Sequence, residues 1–196
     1  MNIIRLNSID STNRYLNDLA AQQNLEEGTT AITQQQSAGR GQRGNSWESE
    51  AGKNLTFSTL LYPGFLPVSQ HFLLSEAVAL AVCDALNALL ENLPLPHSFR
   101  IKWPNDIYYE NRKIAGILIE NELTGATIEH SIIGIGLNIN QTQFSDTLPN
   151  PISLKQITGQ NADLDGLLET VLKNIMQRYG QLKSGKTNLV RANYHA

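Results

Sequence analysis

The chain has 196 residues, of which 41% are hydrophobic and 17% are charged, as in an ordinary soluble globular protein. Its formal net charge of -3 gives no overall positive field for nucleic acid or an anionic membrane, so any phosphate-binding site must be local. The single cysteine, Cys83, excludes a disulfide framework within the chain and fits a reducing cytoplasm. No stretch reaches roughly 18 uninterrupted apolar residues, and residues 1–6 lack a signal-peptide pattern, so we expect neither a membrane span nor a leader.

The first third of the sequence predicts a strand, a helix and two further strands, in that order. Residues 2–7 are typical of a short strand. An apolar stripe with helical spacing follows, formed by Tyr15, Leu16, Leu19 and Ala20. Strands are predicted at residues 29–35 and 54–62, the second with the alternation of a half-buried strand. The glycine-rich residues 37–53 between them contain few large apolar side chains, and we expect this loop to be mobile without a ligand.

The rest of the chain predicts a sheet between two apolar helices. Residues 70–91 are apolar on most sides, which indicates a helix buried against a sheet. Strands are predicted at residues 99–103, 106–109, 113–120 and 128–140, with a hairpin turn at residues 109–112. A last amphipathic helix begins after Asp163 as its N-cap and ends at Gly180. These adjacent strands predict a single α+β domain with a mixed, largely antiparallel sheet packed against helices.

The segment at residues 36–47 offers backbone amides, guanidinium groups and an indole. Its glycines would let the backbone approach an anion and point N–H groups at it; they are Gly39, Gly41 and Gly44. Arg40 and Arg43 add charge-assisted donors for carboxylate or phosphate oxygens. A solvated, flexible glycine loop is an equal alternative for these residues alone. Trp47 favours a binding site, because it has little core to join and its flat face suits stacking on a purine.

A second polar segment, Lys-Trp-Pro-Asn-Asp at residues 102–106, lies at a predicted strand end. The proline fixes the backbone that directs Asn105 and Asp106. Asp106 could hold Mg²⁺ together with phosphate oxygens, and Lys102 could neutralise a triphosphate. On this segment alone the favoured alternative is an ordinary Asn-Asp turn with Lys102 exposed and Trp103 in the core.

Two later strands carry residues that an apolar core does not require. Lys113 is either an edge charge or an inward-facing functional amine, and Gly116 indicates a close approach to the backbone. Gly134 and Gly136 share one strand face and would leave room for a flat ligand. Asn138, on the same face, could read an adenine edge or simply end the strand.

Ser11 and Thr12 open the first predicted helix. A helix N-cap is the favoured explanation for this position on the residues alone, although the hydroxyls could instead bind a small polar ring. The four histidines show no metal-ligand spacing, and Cys83 has no polar neighbour in sequence that would make it a nucleophile.

In this order, the motifs resemble the catalytic domain of the biotin protein ligase family. Five segments carry the resemblance, at residues 10–13, 36–47, 102–106, 112–116 and 134–138. The resemblance implies the biotin–lipoate ligase fold, which is similar to class II aminoacyl-tRNA synthetases. It also implies an ATP- and Mg²⁺-dependent enzyme that joins biotin to AMP, releases pyrophosphate and transfers biotin to a lysine of a biotin carboxyl-carrier domain.

The same resemblance implies roles for individual residues. The residues expected to bind biotin are Ser11, Thr12, Gln36, Gly39, Arg40, Lys113 and Gly116. The residues expected to bind ATP are Arg43, Trp47, Lys102, Asn105, Asp106 and Asn138, with Asp106 also holding Mg²⁺ through the phosphates. Lys113 and the Arg40 backbone would meet the carboxylate and the α-phosphate, so both are expected to be catalytic.

The chain departs from the family pattern at three places. Gln42 stands where the family loop commonly has an arginine, which would weaken retention of the adenylate unless Arg43 compensates. The chain lacks the N-terminal winged helix of some relatives, so we expect no DNA binding. We expect a catalytic domain at residues 1–183 and a helical stub at 184–196, without the small C-terminal β domain usual in the family. We further expect a cytoplasmic monomer or weak homodimer that binds neither nucleic acid nor membrane.

Two alternative functions are open. A lipoate ligase would share the fold and the acyl-adenylate chemistry, but it usually shows an arginine pair before a Ser-Gly-Gly-Gly run and a downstream His-Asp, which this sequence lacks. A catalytically weak binding module would sequester biotin, and it would release no pyrophosphate in response to biotin and ATP. A repressor is disfavoured, because no helix-turn-helix precedes the domain.

Overall fold

The structure is a computed structural model that describes residues 2–91, 93–95 and 98–196, with the side chain of Arg43 left out. Its strands are β1 (Ile3–Ile9), β2 (Thr30–Gln36), β3 (Leu55–Leu61), β4 (Phe99–Lys102), β5 (Asp106–Tyr109), β6 (Arg112–Thr124) and β7 (Thr127–Leu137). Its α-helices are α1 (Thr12–Gln22), α2 (Phe72–Leu90), α3 (Leu154–Thr158), α4 (Leu164–Lys183) and α5 (Thr187–Tyr194).

These strands form one sheet in the order β1-β2-β3-β7-β6-β5-β4. β1 and β2 are parallel and every other neighbouring pair is antiparallel, which confirms the predicted mixed, largely antiparallel sheet. The parallel pair arises because α1 lies between β1 and β2, and a helical crossover lets the chain return in the same direction. The predicted hairpin turn joins β5 to β6, with Glu110 at a φ of 53°.

The sheet is covered on both faces. Leu61 and Ile133 belong to the large core that contains α2 and α4. Their chain neighbours Leu60 and Ile132 point to the opposite face, where they pack against Leu16 of α1. The prediction that β3 is half-buried is therefore wrong: all seven of its residues are buried, because α1 covers the face that would otherwise meet solvent.

α2 is the apolar helix that the sequence predicts. Together with the short 3₁₀ turn before it, the segment Val68–Leu90 is long and apolar enough to cross a membrane, with a mean hydropathy of 1.7. In the structure it contacts the sheet, α4 and α5, and 72% of its most apolar window is buried inside the fold. The apolar surface of α2 is therefore covered by the protein itself, as in the core helix of a globular domain.

The last two helices extend the same core. α4 passes the predicted end at Gly180 and continues to Lys183, because Leu182 is buried and glycine costs a helix only about 1 kcal/mol relative to alanine. α5 lies in the segment where the sequence predicts a helical stub, and its Val190 is fully buried in the core shared with α2. The division of the chain at residue 183 stays a prediction.

Candidate active site

The start of α1, the end of β2 and the middle of β3 form a group of hydrogen-bonded side chains that we call the polar cradle: Ser11, Thr12, Asn13, Gln36 and Ser58. Ser11 is the N-cap of α1, as its place before the first predicted helix favours. The Thr12 backbone N–H donates to Gln36 Oε1 at 2.8 Å, and Thr12 Oγ1 lies 2.7 Å from Ser58 Oγ. Ser58 in turn donates to Asn13 Oδ1 at 2.5 Å. These bonds fix the directions in which the cradle presents its polar atoms.

The glycine-rich loop is folded back on itself beside the cradle. The Trp47 backbone N–H donates to the Gly39 carbonyl at 3.0 Å, and Arg40 forms an isolated β-bridge with Ser46. The tip between them is a 3₁₀ turn, Gln42–Gly44. A β-carbon on Gly39 would overlap the Trp47 carbonyl oxygen, so this close return requires glycine. The predicted mobility of the loop stays a prediction.

The Trp47 indole occupies the sheet surface that the sequence predicts to be free for a flat ligand. A β-carbon on Gly136 would overlap the indole, and one on Gly134 would overlap the Asn13 amide. The prediction of free space over these two glycines is therefore wrong, because the loop places Trp47 over Gly136 and the start of α1 places the Asn13 amide over Gly134. Among the described residues, the buried Trp47 Nε1 has no hydrogen-bond partner.

Two cations of the site are each held by a carboxylate. Arg40 Nη2 lies 3.0 Å from Glu120 Oε2, which also accepts a hydrogen bond of 2.6 Å from Asn13 Nδ2. Lys113 Nζ lies 2.8 Å from Asp106 Oδ1. All four charged side chains are partly exposed, so water weakens each attraction and an anionic ligand can compete for either cation.

Lys113 lies on β6 beside an irregularity of the sheet. The pairing of β5 with β6 shifts register between Ile107 and Tyr108, and a shift of this kind redirects the side chains next to it. A β-carbon on Gly116 would come within 3.3 Å of Lys113 Nζ and 3.1 Å of the Trp47 ring. Gly116 therefore leaves the space in which the lysine and the indole meet, with Nζ 5.7 Å from the indole centroid.

One cavity of about 370 Å³ brings these segments together. The predicted site residues that line it are Ser11, Thr12, Gln36, Arg40, Trp47, Asn105, Asp106, Lys113 and Gly116. A second cavity, of about 300 Å³, shares Trp47 and Lys113 with the first and is also lined by Asn138 and the loop that contains Leu148. Asn138 donates to the Ile152 carbonyl at 3.2 Å, while its buried Oδ1 has no partner within the described part of the chain. Asn138 thus lines the second cavity while that oxygen is buried.

Comparison with known proteins agrees with this site. A sequence model of the Biotin/lipoate A/B protein ligase family matches residues 6–138, well over half of the chain. The chain belongs to this family. It is 33% identical over 176 residues to the bifunctional ligase/repressor BirA of Bacillus spizizenii, and this alignment covers 87% of this chain and 51% of that protein. It is 30% identical over 186 residues to the biotin–[acetyl-CoA-carboxylase] ligase of Mycobacterium tuberculosis, covering 95% of this chain and 66% of that protein.

The fold is also that of solved family members. The structure superimposes on the biotin protein ligase of Aquifex aeolicus in complex with biotin and ATP with a TM-score of 0.83 and 30% sequence identity, covering 98% of this chain and 76% of that one. This confirms the predicted biotin–lipoate ligase fold. The chain spans about half the length of the first curated relatives that it matches.

Two of the predicted ATP-binding residues already contact other parts of the protein, and a third lies outside the described residues. Lys102 lies on the edge strand β4 with Nζ 3.3 Å from the Tyr108 hydroxyl, and it does not line the main cavity. Asn105 lines the cavity, but its amide nitrogen donates to the Ile117 carbonyl and so ties the turn to β6. The prediction for the Arg43 side chain lies outside the described residues.

Four further residues at or beside the site receive no role from the sequence: Asn13, Ser58, Trp103 and Glu120. Trp103 is 68% exposed and lines the cavity, which contradicts its assignment to the core in the turn alternative. Ser58 and Glu120 stand on separate strands, and only the sheet register brings them near the same helix start. Ser58 is a polar residue on a strand that is buried on both faces, which could have marked it as part of the site. The sequence does not show this burial, because it depends on α1 covering the second face.

Proposed function

We propose that the chain is an ATP-dependent biotin protein ligase. An oxygen of the biotin carboxylate attacks the α-phosphorus of ATP, and the bond to the leaving pyrophosphate breaks, which gives biotinyl-5′-AMP. A lysine amine of a biotin carboxyl-carrier domain then attacks the biotinyl carbonyl, an amide forms, and AMP leaves as the amine loses a proton. The observation that carries the proposal is the single cavity in which the polar cradle stands beside two cations.

The polar cradle suits the ureido ring of biotin. Thr12 and Gln36 offer hydroxyl and amide groups at fixed positions, and Ser11 lines the same cavity. A buried polar wall of this kind stabilises a ligand that pairs with it and rejects one that does not, because unpaired polar atoms cost free energy. The dithiolane ring of lipoate has neither N–H nor C=O groups for these atoms, so the cradle favours biotin over lipoate.

Arg40 and Lys113 would bring the two reacting anions together. Each cation is paired with a partly exposed carboxylate, so the biotin carboxylate and the α-phosphate can displace Glu120 and Asp106 at little cost. Catalysis then consists of alignment and neutralisation of the charge that develops on the phosphate oxygens. Gly39 and Gly116 would contribute space, the first for the loop backbone and the second for the ligand beside Lys113.

The nucleotide would extend from Lys113 into the second cavity. Asn138 lines this cavity and its carboxamide is suited to an adenine edge, and the Trp47 indole forms part of the same wall. Asn105 and Asp106 would meet the polyphosphate, with Lys102 and Arg43 as further positive charges. Closure of the glycine-rich loop would keep water from the mixed anhydride.

Mg²⁺ fits the site as an ion that accompanies the nucleotide. No group of three or more His, Cys, Asp and Glu side chains that could hold a metal occurs in the described ranges. Asp106 is the carboxylate in the cavity wall, and Mg²⁺ is commonly held by one or two carboxylates together with substrate phosphates. The bound ion would neutralise charge on the polyphosphate. We also propose that the protein acts in the cytoplasm as a monomer or weak homodimer.

Transfer to a carrier domain tests the complete reaction. The chain is incubated with a purified biotin carboxyl-carrier domain, biotin and ATP, and the carrier mass is measured by mass spectrometry. We expect a mass increase of one biotinyl group that requires both biotin and ATP. A carrier whose acceptor lysine is changed to arginine serves as the control and should stay unmodified. An unchanged mass of the wild-type carrier, or modification by lipoate in place of biotin, would contradict the proposal.

A further inference from the structure

Tyr194, the last residue of α5, reaches the wall of the main cavity, although the proposed reaction gives it no role. Its hydroxyl donates to the Pro104 carbonyl at 3.2 Å. Pro104 belongs to the turn at residues 103–105, which joins β4 to β5 and lines the main cavity together with Asp106. The bond thus joins residues 90 positions apart in the chain at the wall of the site.

The two ends of this turn are held in different ways. Asn105 is tied to the sheet, because its carbonyl accepts from the Ile117 N–H at 3.1 Å and its amide nitrogen donates to the Ile117 carbonyl. Trp103 is 68% exposed, and Pro104 has no N–H to donate. Among the described residues, Tyr194 makes the only side-chain hydrogen bond to Trp103 or Pro104. The tyrosine therefore holds the part of the turn that the sheet leaves free.

A row of three aromatic rings supports the same contact. Phe72, the first residue of α2, meets the Tyr194 ring edge-on with the centroids 6.0 Å apart. On its other side it meets the Trp103 ring at 6.5 Å. Val190, one helical turn before Tyr194, is fully buried in the core that α5 shares with α2. The place of the turn is thus set from the core through α5.

The Tyr194 hydroxyl is a donor over the whole neutral range. Burial, and next the charge of Glu76, raise the pKa of Tyr194 above its ordinary value, so the hydroxyl keeps its proton. The Pro104 carbonyl can only accept, which fixes the direction of the bond. A turn that is already held in place binds a ligand more tightly, because less conformational freedom is lost on binding.

We infer that Tyr194 is a positioning residue for the nucleotide: by holding Pro104 it fixes the turn that presents Asn105 and Asp106 to the polyphosphate and its Mg²⁺. This inference rests on the proposed function, which assigns the polyphosphate to these two residues. α5 packs against α2 and α4, whereas the polar cradle is built on α1, β2 and β3. The bond should therefore matter for ATP and not for biotin.

Tyr194→Phe removes the hydroxyl and keeps the ring that meets Phe72. In biotin-dependent ATP–pyrophosphate exchange we expect the KM for ATP to rise about fivefold, which corresponds to the loss of one ordinary hydrogen bond. The affinity for biotin, measured by calorimetry without ATP, should stay at the wild-type value. A bond that only stabilised the fold would lower the fraction of active protein, and so the apparent kcat, and would leave the KM unchanged.

Tyr62→Phe is the matched control. The Tyr62 hydroxyl also donates to a backbone carbonyl, that of Leu25 at 2.9 Å, but it lies just after β3 and does not line the main cavity. This variant should leave the KM for ATP unchanged. An unaltered KM in a folded Tyr194→Phe protein would overturn this inference and leave the proposed function standing. Absence of exchange in wild type would overturn both.

The fluorescence of Trp103 tests the contact without any ligand. The chain has two tryptophans, so Trp47→Phe leaves Trp103 as the only one, and time-resolved anisotropy then reports the nanosecond motion of its indole. Adding Tyr194→Phe should increase the amplitude of the fast decay, whereas adding Tyr62→Phe should not. Equal amplitudes in the two double variants would mean that the Tyr194 hydroxyl does not hold the turn, and would also overturn the inference.

Discussion

Lys113→Ala separates the contribution of this lysine to catalysis from its contribution to stability. The change removes an ammonium that lies 2.8 Å from Asp106 in the main cavity and leaves that carboxylate facing the incoming phosphates. Losing a fixed group that meets developing negative charge costs about 3–4 kcal/mol in the transition state, or about 10²–10³ in rate. Repulsion between Asp106 and the phosphates adds to this loss, so we expect a fall in adenylation of several orders of magnitude.

The stability cost of the same change should be small. The two side chains are 30% and 24% exposed, and an ion pair so accessible to water contributes about 1 kcal/mol or less to the free energy of unfolding. The assay is biotin-dependent ATP–pyrophosphate exchange, with thermal unfolding measured on the same samples. Lys183→Ala is the control. Lys183, at the end of α4, is also paired with a carboxylate, Glu27 at 3.5 Å, but it lies away from the cavity. Near-normal exchange by a folded Lys113→Ala protein would refute the reasoning.

Two further predictions concern stability. Gly136→Ala forces a methyl group against the Trp47 indole and should lower the free energy of unfolding in urea by about 1–3 kcal/mol. Gly180→Ala is the control: no atom lies near its new methyl group, so it should be neutral or stabilising. Burial raises the pKa of the Glu76 carboxyl, so the folded chain keeps its proton to higher pH than the unfolded chain. Stability should therefore fall as pH rises from the ordinary value of 4.5 through the raised pKa, and Glu76→Gln should remove this part of the fall.

Each stability prediction has a result that contradicts it. Equal unfolding free energies for Gly136→Ala and wild type would mean that the indole does not rest on the sheet in solution. Identical slopes of stability against pH for wild type and Glu76→Gln would mean that the Glu76 carboxyl titrates alike in the folded and unfolded chains.

Local patterns predicted most of the fold. The apolar residues of α2 and α4 and the succession of strands from β4 to β7 are local features, and the structure contains the corresponding elements. Element ends and the coverage of faces were less predictable, because they depend on tertiary contacts. Gly180 does not end α4, since Leu182 is buried further along, and β3 is not half-buried, since α1 covers its second face.

The candidate site was predictable where one motif carries its own chemistry. Arg40 and Lys113 stand out in sequence because they are charged residues in glycine-rich or apolar surroundings, whereas Asp106 belongs to a segment whose residues alone favour an ordinary turn. All three line the cavity. Contacts between motifs were not predictable. The bond between Asn13 and Glu120 joins residues 107 positions apart, and the place of Trp47 over Gly136 depends on how the loop folds back.

The central claim is that one cavity activates biotin with ATP, and biotin-dependent ATP–pyrophosphate exchange tests it most directly. The 196-residue chain is supplied with ATP, labelled pyrophosphate and either biotin or lipoate. The account predicts label in ATP with biotin and none with lipoate, because the polar cradle pairs only with the ureido ring. Absence of exchange while calorimetry shows biotin bound would contradict the account and favour a protein that binds biotin without activating it.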